Sequence, residues 1–329
     1  MKLPESIKLA NLPTKIEKLD RLSRELGGPR IYVKRDDQTG SEISGNKVRK
    51  LEFTVAEAMR QGCDMLITCG GVQSNHARAT AAVAAKLGMS SYLVLRGTGE
   101  EEIDGNRFLD LLLGAKIKFI TPEQYSSSRN QIMEEVKKEM KKEGYKPYII
   151  PEGASNGLGA LGYFKAMQEI MQQEKEMGVR FDAILMAVGS GGTYAGMFLG
   201  NKLLKNNAEI YGVNVCDNEE YFQNAIYNII HESYEYIDEK IELEKKDIKV
   251  IDGYVGLGYA LSRPEELDFL YHVAKLEGLI LDPVYTGKAM FGLADCIKRG
   301  KFKQHKNVLF LHTGGLYGLF PTKGKFQFK

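Results

Sequence analysis

Cysteine is scarce in this chain. Cys63, Cys69, Cys216 and Cys296 are the four among 329 residues. They are too scattered for a metal-ligand motif and lack the spacing of a disulfide framework. Cys69 and Cys216 lie in apolar runs, where a thiol is usually a small buried side chain rather than a reactive one. No stretch approaches the ~18–20 uninterrupted apolar residues that a membrane helix requires. The opening residues 1–19 have no apolar signal core and no small-residue cleavage site, so a cytoplasmic location is expected. Neither sign of charge dominates: 45 basic residues meet 43 acidic ones, for a net charge of +2. That balance gives no reason to expect nucleic acid or an anionic membrane as a partner. The lysines at 137, 138, 141 and 142 alternate with acids and read as a solvated helix face. Repeats, low-complexity tracts and disordered linkers are missing too.

Glycine, by contrast, is abundant, with 35 residues. Several occur in pairs between an apolar run and a helical pattern, where a loop must turn with positive φ or approach a ligand closely. Short apolar runs alternate with longer helical patterns along most of the chain. Strands are expected at 65–69, 92–95, 116–120 and 148–150. Helices are expected at 75–87, 105–113 and 123–142. A second series follows, with strands at 182–188, 210–215 and 308–311 and helices at 160–177, 218–231, 264–277 and 285–299. This order predicts an α/β protein with parallel sheets flanked by helices. It suggests two lobes, a large one from residues 1–48 and 160–329 and a small inserted one from residues 49–159.

Five motifs carry chemistry. In the first, Ser44-Gly45-Asn46-Lys47-Val48-Arg49-Lys50, a lysine stands at the mouth of a helix. Its amine could attack an aldehyde, provided that burial or nearby cations keep it neutral. Arg49 and Lys50 compete with Lys47 on this motif alone. The second, Gly70-Gly71-Val72-Gln73-Ser74-Asn75-His76, follows an apolar strand and opens a helix. Exposed N–H groups there suit a substrate carboxylate, with Ser74 or Asn75 as the cap. In the third, Gly189-Ser190-Gly191-Gly192-Thr193, the glycines let the backbone wrap a phosphate, and Ser190 and Thr193 add hydroxyl donors. It is neither a Walker loop nor a dinucleotide fingerprint. The fourth, Leu281-Asp282-Pro283-Val284-Tyr285-Thr286-Gly287-Lys288, sets Tyr285 between a proline turn and a helix start, where it can donate a proton. The fifth is a strand ending in His312-Thr313-Gly314-Gly315, the kind of strand end that lines ligand crevices.

In this order the five motifs resemble the fold-type II pyridoxal-phosphate enzymes, from about Leu12 to Gly315. They are closest to the branch that holds D-cysteine desulfhydrase and 1-aminocyclopropane-1-carboxylate deaminase. Supporting segments are Tyr32-Val33-Lys34-Arg35-Asp36-Asp37 and Leu158-Gly159-Ala160-Leu161-Gly162-Tyr163. The resemblance implies a two-lobed fold like the tryptophan synthase β chain, a homodimer, and pyridoxal 5′-phosphate bound to Lys47. It puts Asn75 on the cofactor ring and Ser74, Asn75 and His76 on the substrate. Ser190, Gly191, Gly192 and Thr193 fall at the phosphate, and Tyr259 and Tyr285 at two active-site tyrosines.

Thr286 and Thr313 fall where the two branches differ. The deaminase branch has a glutamate after the tyrosine and a leucine before the glycine pair, while the desulfhydrase branch has threonines. A carboxylate beside the pyridine nitrogen favours its protonated state; a hydroxyl leaves it neutral. The threonines therefore imply β-elimination from a small amino acid, above all D-cysteine, giving pyruvate, hydrogen sulfide and ammonia. Other β-substituted substrates such as cysteate, and ring-opening deamination, are alternatives. A non-catalytic pyridoxal-phosphate carrier or sensor is a reading of a different class, but it would not need the acid–base groups. Departures from the family pattern are Leu316-Tyr317 after the last glycine pair, a missing proline in Gly256–Leu261, and Glu152 after Pro151; all lie toward the substrate.

Overall fold

The protein was studied as a computed structural model, which describes residues 2–328. Ten strands run along the described residues: β1 (Ile16–Lys18), β2 (Arg30–Lys34), β3 (Met65–Gly71), β4 (Ser90–Arg96), β5 (Lys116–Ile120), β6 (Pro147–Ile149), β7 (Ala183–Val188), β8 (Glu209–Asn214), β9 (Lys249–Ile251) and β10 (Asn307–Leu311). They form a six-stranded sheet in the order β1-β2-β10-β7-β8-β9 and a four-stranded sheet in the order β5-β4-β3-β6. All pairings are parallel except β1 with β2. The chain is thus α/β, with both sheets flanked by helices.

Strand burial explains the apolar runs. β3 and β10 are covered on both faces, so they read as continuous apolar stretches rather than alternating ones. Leu66 points to the helices Asn46–Arg60 and Asn75–Lys86, whereas Met65, Ile67 and Cys69 pack on the helix Pro122–Lys142. In the larger sheet Leu309 and Leu311 face the helices Gly157–Met177 and Gly192–Leu203, while Val308 and Phe310 face Thr286–Lys298. The expected strands and helices occur, with ends shifted by up to three residues. β1, β2 and β9 were not anticipated, because a three- to five-residue strand beside charged residues leaves almost no periodic signal.

Two glycines bring the helices that carry the site into backbone contact. A Cβ on Gly162 would stand 2.1 Å from the carbonyl oxygen of Arg49, and one on Gly196 would stand 1.9 Å from that of Ala160. Helix Gly157–Met177 therefore lies flush against both Asn46–Arg60 and Gly192–Leu203. The segments that follow β3, β4, β6, β7, β8 and β10 open toward one cleft, at the carboxyl ends of the parallel strands.

Candidate active site

The cleft has a volume of about 520 Å3. Lys47 is the second residue of helix Asn46–Arg60, whose N-cap, Gly45, has φ 86°. A side chain at Gly45 would strike the Thr313 carbonyl oxygen at 2.7 Å, and the Asn46 N–H donates to that same oxygen at 3.0 Å. The helix start is therefore tied to the end of β10. Burial lowers the Lys47 amine to about 8, against an opposing pull from Glu152. A useful fraction is then the neutral nucleophile near neutral pH.

Lys50, one turn further along, is fully buried and has no carboxylate partner. Its Nζ donates to Gly153 O at 3.3 Å and to Ser155 Oγ at 3.1 Å. Burial and the charge of Lys47 hold this amine well below its usual range. A Cβ on Gly192 would stand 2.9 Å from Lys50 Nζ and 2.8 Å from Ser155 Oγ. Gly191 has φ 87° and opens helix Gly192–Leu203 toward the cleft. Ser190 Oγ and Ser155 Oγ are 2.7 Å apart, and Thr193 Oγ1 accepts from Asn46 Nδ2 at 2.9 Å, which leaves the Thr193 proton free. A helix N-terminus, glycines with little room for side chains, two hydroxyls and a buried amine bonded only to neutral oxygens suit a phosphate dianion. The residues present thus fit a phosphorylated aldehyde at Lys47.

Ser74 is the cap of helix Asn75–Lys86, its Oγ accepting from Ala77 N–H at 3.1 Å. Asn75 Oδ1 accepts from Asn106 Nδ2 at 2.9 Å. His76 is buried and lies 2.8 Å from Thr68 Oγ1 through Nε2. Burial, then the charges of Lys47 and Lys50, keep this imidazole neutral. On the facing wall the hydroxyls of Tyr259 and Tyr285 hydrogen-bond to each other. Burial raises Tyr259 to about 12 and holds Tyr285 well above its ordinary range, so both keep their protons at neutral pH. Gly189 makes room for Tyr285, since a Cβ there would stand 2.9 Å from its ring.

The structure brings together Lys47, Ser74, Asn75, His76, Ser190, Gly191, Thr193, Tyr259, Tyr285 and Thr313 on the cleft wall. Gly192, buried behind Gly191, is not among them, and neither is Thr286. It is fully buried, and its hydroxyl donates to Asp282 Oδ1 at 2.7 Å and accepts from Asp282 N–H at 2.8 Å. The same carboxylate accepts from the backbone N–H groups of Val284, Tyr285 and Thr286, which fixes the turn that presents Tyr285.

A second part of the wall was anticipated only at Glu152, as a departure on the substrate side. It consists of Arg96, Tyr125, Arg129 and Glu152. Tyr125 donates to Glu152 at 2.7 Å, and Arg129 Nε lies 3.5 Å from the other oxygen of that carboxylate. Arg96 had a signal, as a charged residue closing an apolar strand. Tyr125 and Arg129 had none, because one face of a polar helix looks much like another.

A lysine amine kept partly neutral beside a loop that suits a phosphate, with protonated tyrosines in the same cleft, fits a phosphorylated aldehyde cofactor. Residues 7–314 match the pyridoxal-phosphate dependent enzyme family, and the chain belongs to that family. Its cofactor is pyridoxal phosphate. A Thermotoga maritima relative, provisionally named 1-aminocyclopropane-1-carboxylate deaminase, is 45% identical over 95% of this chain and 97% of its own length. The Arabidopsis thaliana protein named bifunctional D-cysteine desulfhydrase/1-aminocyclopropane-1-carboxylate deaminase, mitochondrial, is 42% identical over 95% of this chain and 78% of its own. The crystal structure of an ACC deaminase homologue superposes with a TM-score of 0.88 at 39% identity, covering 98% of this chain and 95% of that one. Among the described residues no helix is long and apolar enough to cross a membrane, and no acidic, histidine or cysteine cluster could hold a metal ion.

Proposed function

We propose that the enzyme catalyses β-elimination from a small amino acid, with D-cysteine as the leading substrate. The balanced reaction takes D-cysteine and water to pyruvate, hydrogen sulfide and ammonia. When bound, pyridoxal phosphate supplies a carbonyl carbon for the substrate amine and a conjugated ring that takes up the electron pair of the Cα–H bond. The protein side of the reaction falls to a few residues. Lys47 holds the cofactor and, once displaced, accepts the Cα proton. Ser190, Gly191, Gly192 and Thr193, with Lys50, hold the phosphate. Asn75 and Thr313 border the ring, and the opening turn at Ser74, Asn75 and His76 receives the substrate carboxylate. Tyr259 or Tyr285 gives its proton to the departing sulfur. We place the lobe boundaries at residues 49 and 159 and expect a cytoplasmic homodimer, whose subunit number sedimentation of the purified protein tests.

The observation that carries elimination over ring opening is the lack of a free carboxylate at the two positions where the branches differ. Thr313 borders the cleft with a side chain that carries no charge, and the carboxylate nearest Thr286, that of Asp282, is saturated with hydrogen bonds. The deciding experiment measures pyruvate from D-cysteine and L-cysteine beside 2-oxobutanoate from the cyclopropane amino acid. Faster 2-oxobutanoate release would reject elimination as the main reaction.

Thr313→Leu is expected to lower pyruvate release by roughly 2- to 10-fold at unchanged cofactor occupancy, the size of one lost neutral hydrogen bond. An unchanged rate would mean that the hydroxyl merely closes the strand. Thr286→Glu is a different matter. Its carboxylate would be buried against that of Asp282, so the expected result is a protein several kcal/mol less stable rather than one with altered ring-nitrogen protonation. Thermal unfolding of the variant checks this.

Ser190→Ala and Thr193→Ala should each weaken cofactor binding by about 1–3 kcal/mol, as for a hydrogen bond to a charged group. Titration of the apoprotein with pyridoxal phosphate measures it. Unchanged affinity in both variants would place the phosphate elsewhere.

A further inference from the structure

Arg96 closes β4 and reaches into the cleft. Its guanidinium lies 5.2 Å from the ring centre of Tyr259 and 5.3 Å from that of Tyr125, held between two aromatic faces. Nη2 stands 3.7 Å from where a Cβ on Gly71 would be, which places the guanidinium beside the end of β3. Among the described residues no hydrogen bond or ion pair neutralises it. The adjacent cation, Arg129, has Glu152 as its partner, and Glu152 also holds the Tyr125 hydroxyl. An arginine does not lose its proton in a protein. A half-buried guanidinium fixed in orientation by stacking, and with no anion, is built to receive one.

The position says which anion. The phosphate site lies at Ser190–Thr193, and the helix opening at Ser74–His76 already serves a carboxylate. Arg96 instead adjoins Tyr259, whose hydroxyl is bonded to that of Tyr285. That is the pair assigned above to the leaving group.

We propose that Arg96 is a specificity residue that receives the β-substituent of the substrate. The substrates are then three-carbon amino acids whose β-group is an anion or departs as one, of thiolate or sulfonate character. This inference rests on the elimination reading. With a thiol, the Cβ–S bond breaks, sulfur keeps both electrons beside the guanidinium, and a tyrosine hydroxyl provides the proton that makes hydrosulfide into hydrogen sulfide. A cyclopropane ring brings no such charge, so Arg96 would add nothing to its binding.

The test uses the holoenzyme and an isosteric pair of ligands, D-aspartate and D-asparagine, with D-alanine as the control and the L-forms in parallel. Affinities are read from the change in the cofactor's absorbance. The wild type should prefer aspartate to asparagine by roughly 10-fold or more, the range for a hydrogen bond between charged groups. Arg96→Gln should erase that preference and leave D-alanine unchanged, while Arg96→Lys should retain part of it. No preference in the wild type, in either stereochemical series, would overturn the proposal, as would a preference that survives in Arg96→Gln. Equal weakening of all three ligands would also overturn it, because Arg96 would then bind the α-carboxylate common to them. Pyruvate release from D-cysteine by the wild type is measured separately. Its absence would reject the elimination reading, whereas the aspartate-to-asparagine ratio judges Arg96 alone.

Discussion

Lys47→Ala is expected to lose covalent attachment of the cofactor and to slow turnover by at least ~10^3-fold, since one substitution removes both the anchoring amine and the Cα base. Borohydride reduction followed by peptide mass mapping reads the attachment directly. The wild type should carry the adduct on the peptide containing Lys47, and Lys50→Ala should keep it there while binding the cofactor more weakly. An adduct that survives in Lys47→Ala and vanishes in Lys50→Ala would reverse the assignment.

The pH dependence gives a second measure of the same site. Only the neutral amine attacks a carbonyl, and burial brings the Lys47 amine down to about 8. Attachment to the apoprotein should therefore quicken as pH rises and level off above about 8, well below the point where an exposed lysine would level off. Glu152 raises this value, so Glu152→Gln should move the midpoint to lower pH. A midpoint that did not move would remove Glu152 from the electrostatics of the amine.

Much of this site could be read from the sequence, and the reason is physical. Gly45, Gly191 and Gly192 are needed where backbone meets backbone or where the chain turns with positive φ, and such positions leave a one-residue mark. Ser74 is a cap residue in front of a helical pattern, which is a local signal as well. Arg96, Tyr125 and Glu152 come from three separate elements and meet only in the folded cleft, so no spacing along the chain announces them. Thr286 shows the opposite limit. Its position beside Tyr285 is legible, but the direction of its hydroxyl depends on Asp282, four residues earlier, whose carboxylate turns it away from the cleft. In the fold, the strands buried on both faces were plain as apolar runs. The antiparallel edge strand β1 was not, because two half-buried residues and one exposed one carry no period.

Asp36→Ala should be among the most destabilising single changes outside the cleft. Asp36 is fully buried and holds three side chains at once. Arg49 donates to it through Nε and Nη2, each at 2.8 Å, Tyr163 Oη at 2.6 Å and Thr14 Oγ1 at 2.7 Å. Arg49 also pairs with Glu169, which in turn holds the buried amine of Lys34. Removing Asp36 leaves two buried cations to share one carboxylate and strands two hydroxyls. Breaking a buried pair in this way typically lowers stability by about 3–5 kcal/mol. The midpoint of guanidinium unfolding should fall accordingly, and a loss below ~1 kcal/mol would show that the network is dispensable. The effect should also depend on pH in a definite sense. Burial alone would raise the Asp36 carboxyl, but Arg49, Lys34 and the Tyr163 hydroxyl together outweigh it and hold the group below its ordinary range. A carboxyl depressed in the folded state contributes its stability above the unfolded pKa, about 3.9 for aspartate. That contribution is lost as pH falls through the folded value. The gap in stability between wild type and Asp36→Ala should therefore be full at neutral pH and shrink below pH ~4. Because Arg49 sits two residues after Lys47 on the same helix, loosening this network should also release the helix start that aims the lysine. In that case the variant would lose turnover at pH 7 even under conditions where it remains folded, whereas full turnover would confine the network's role to stability.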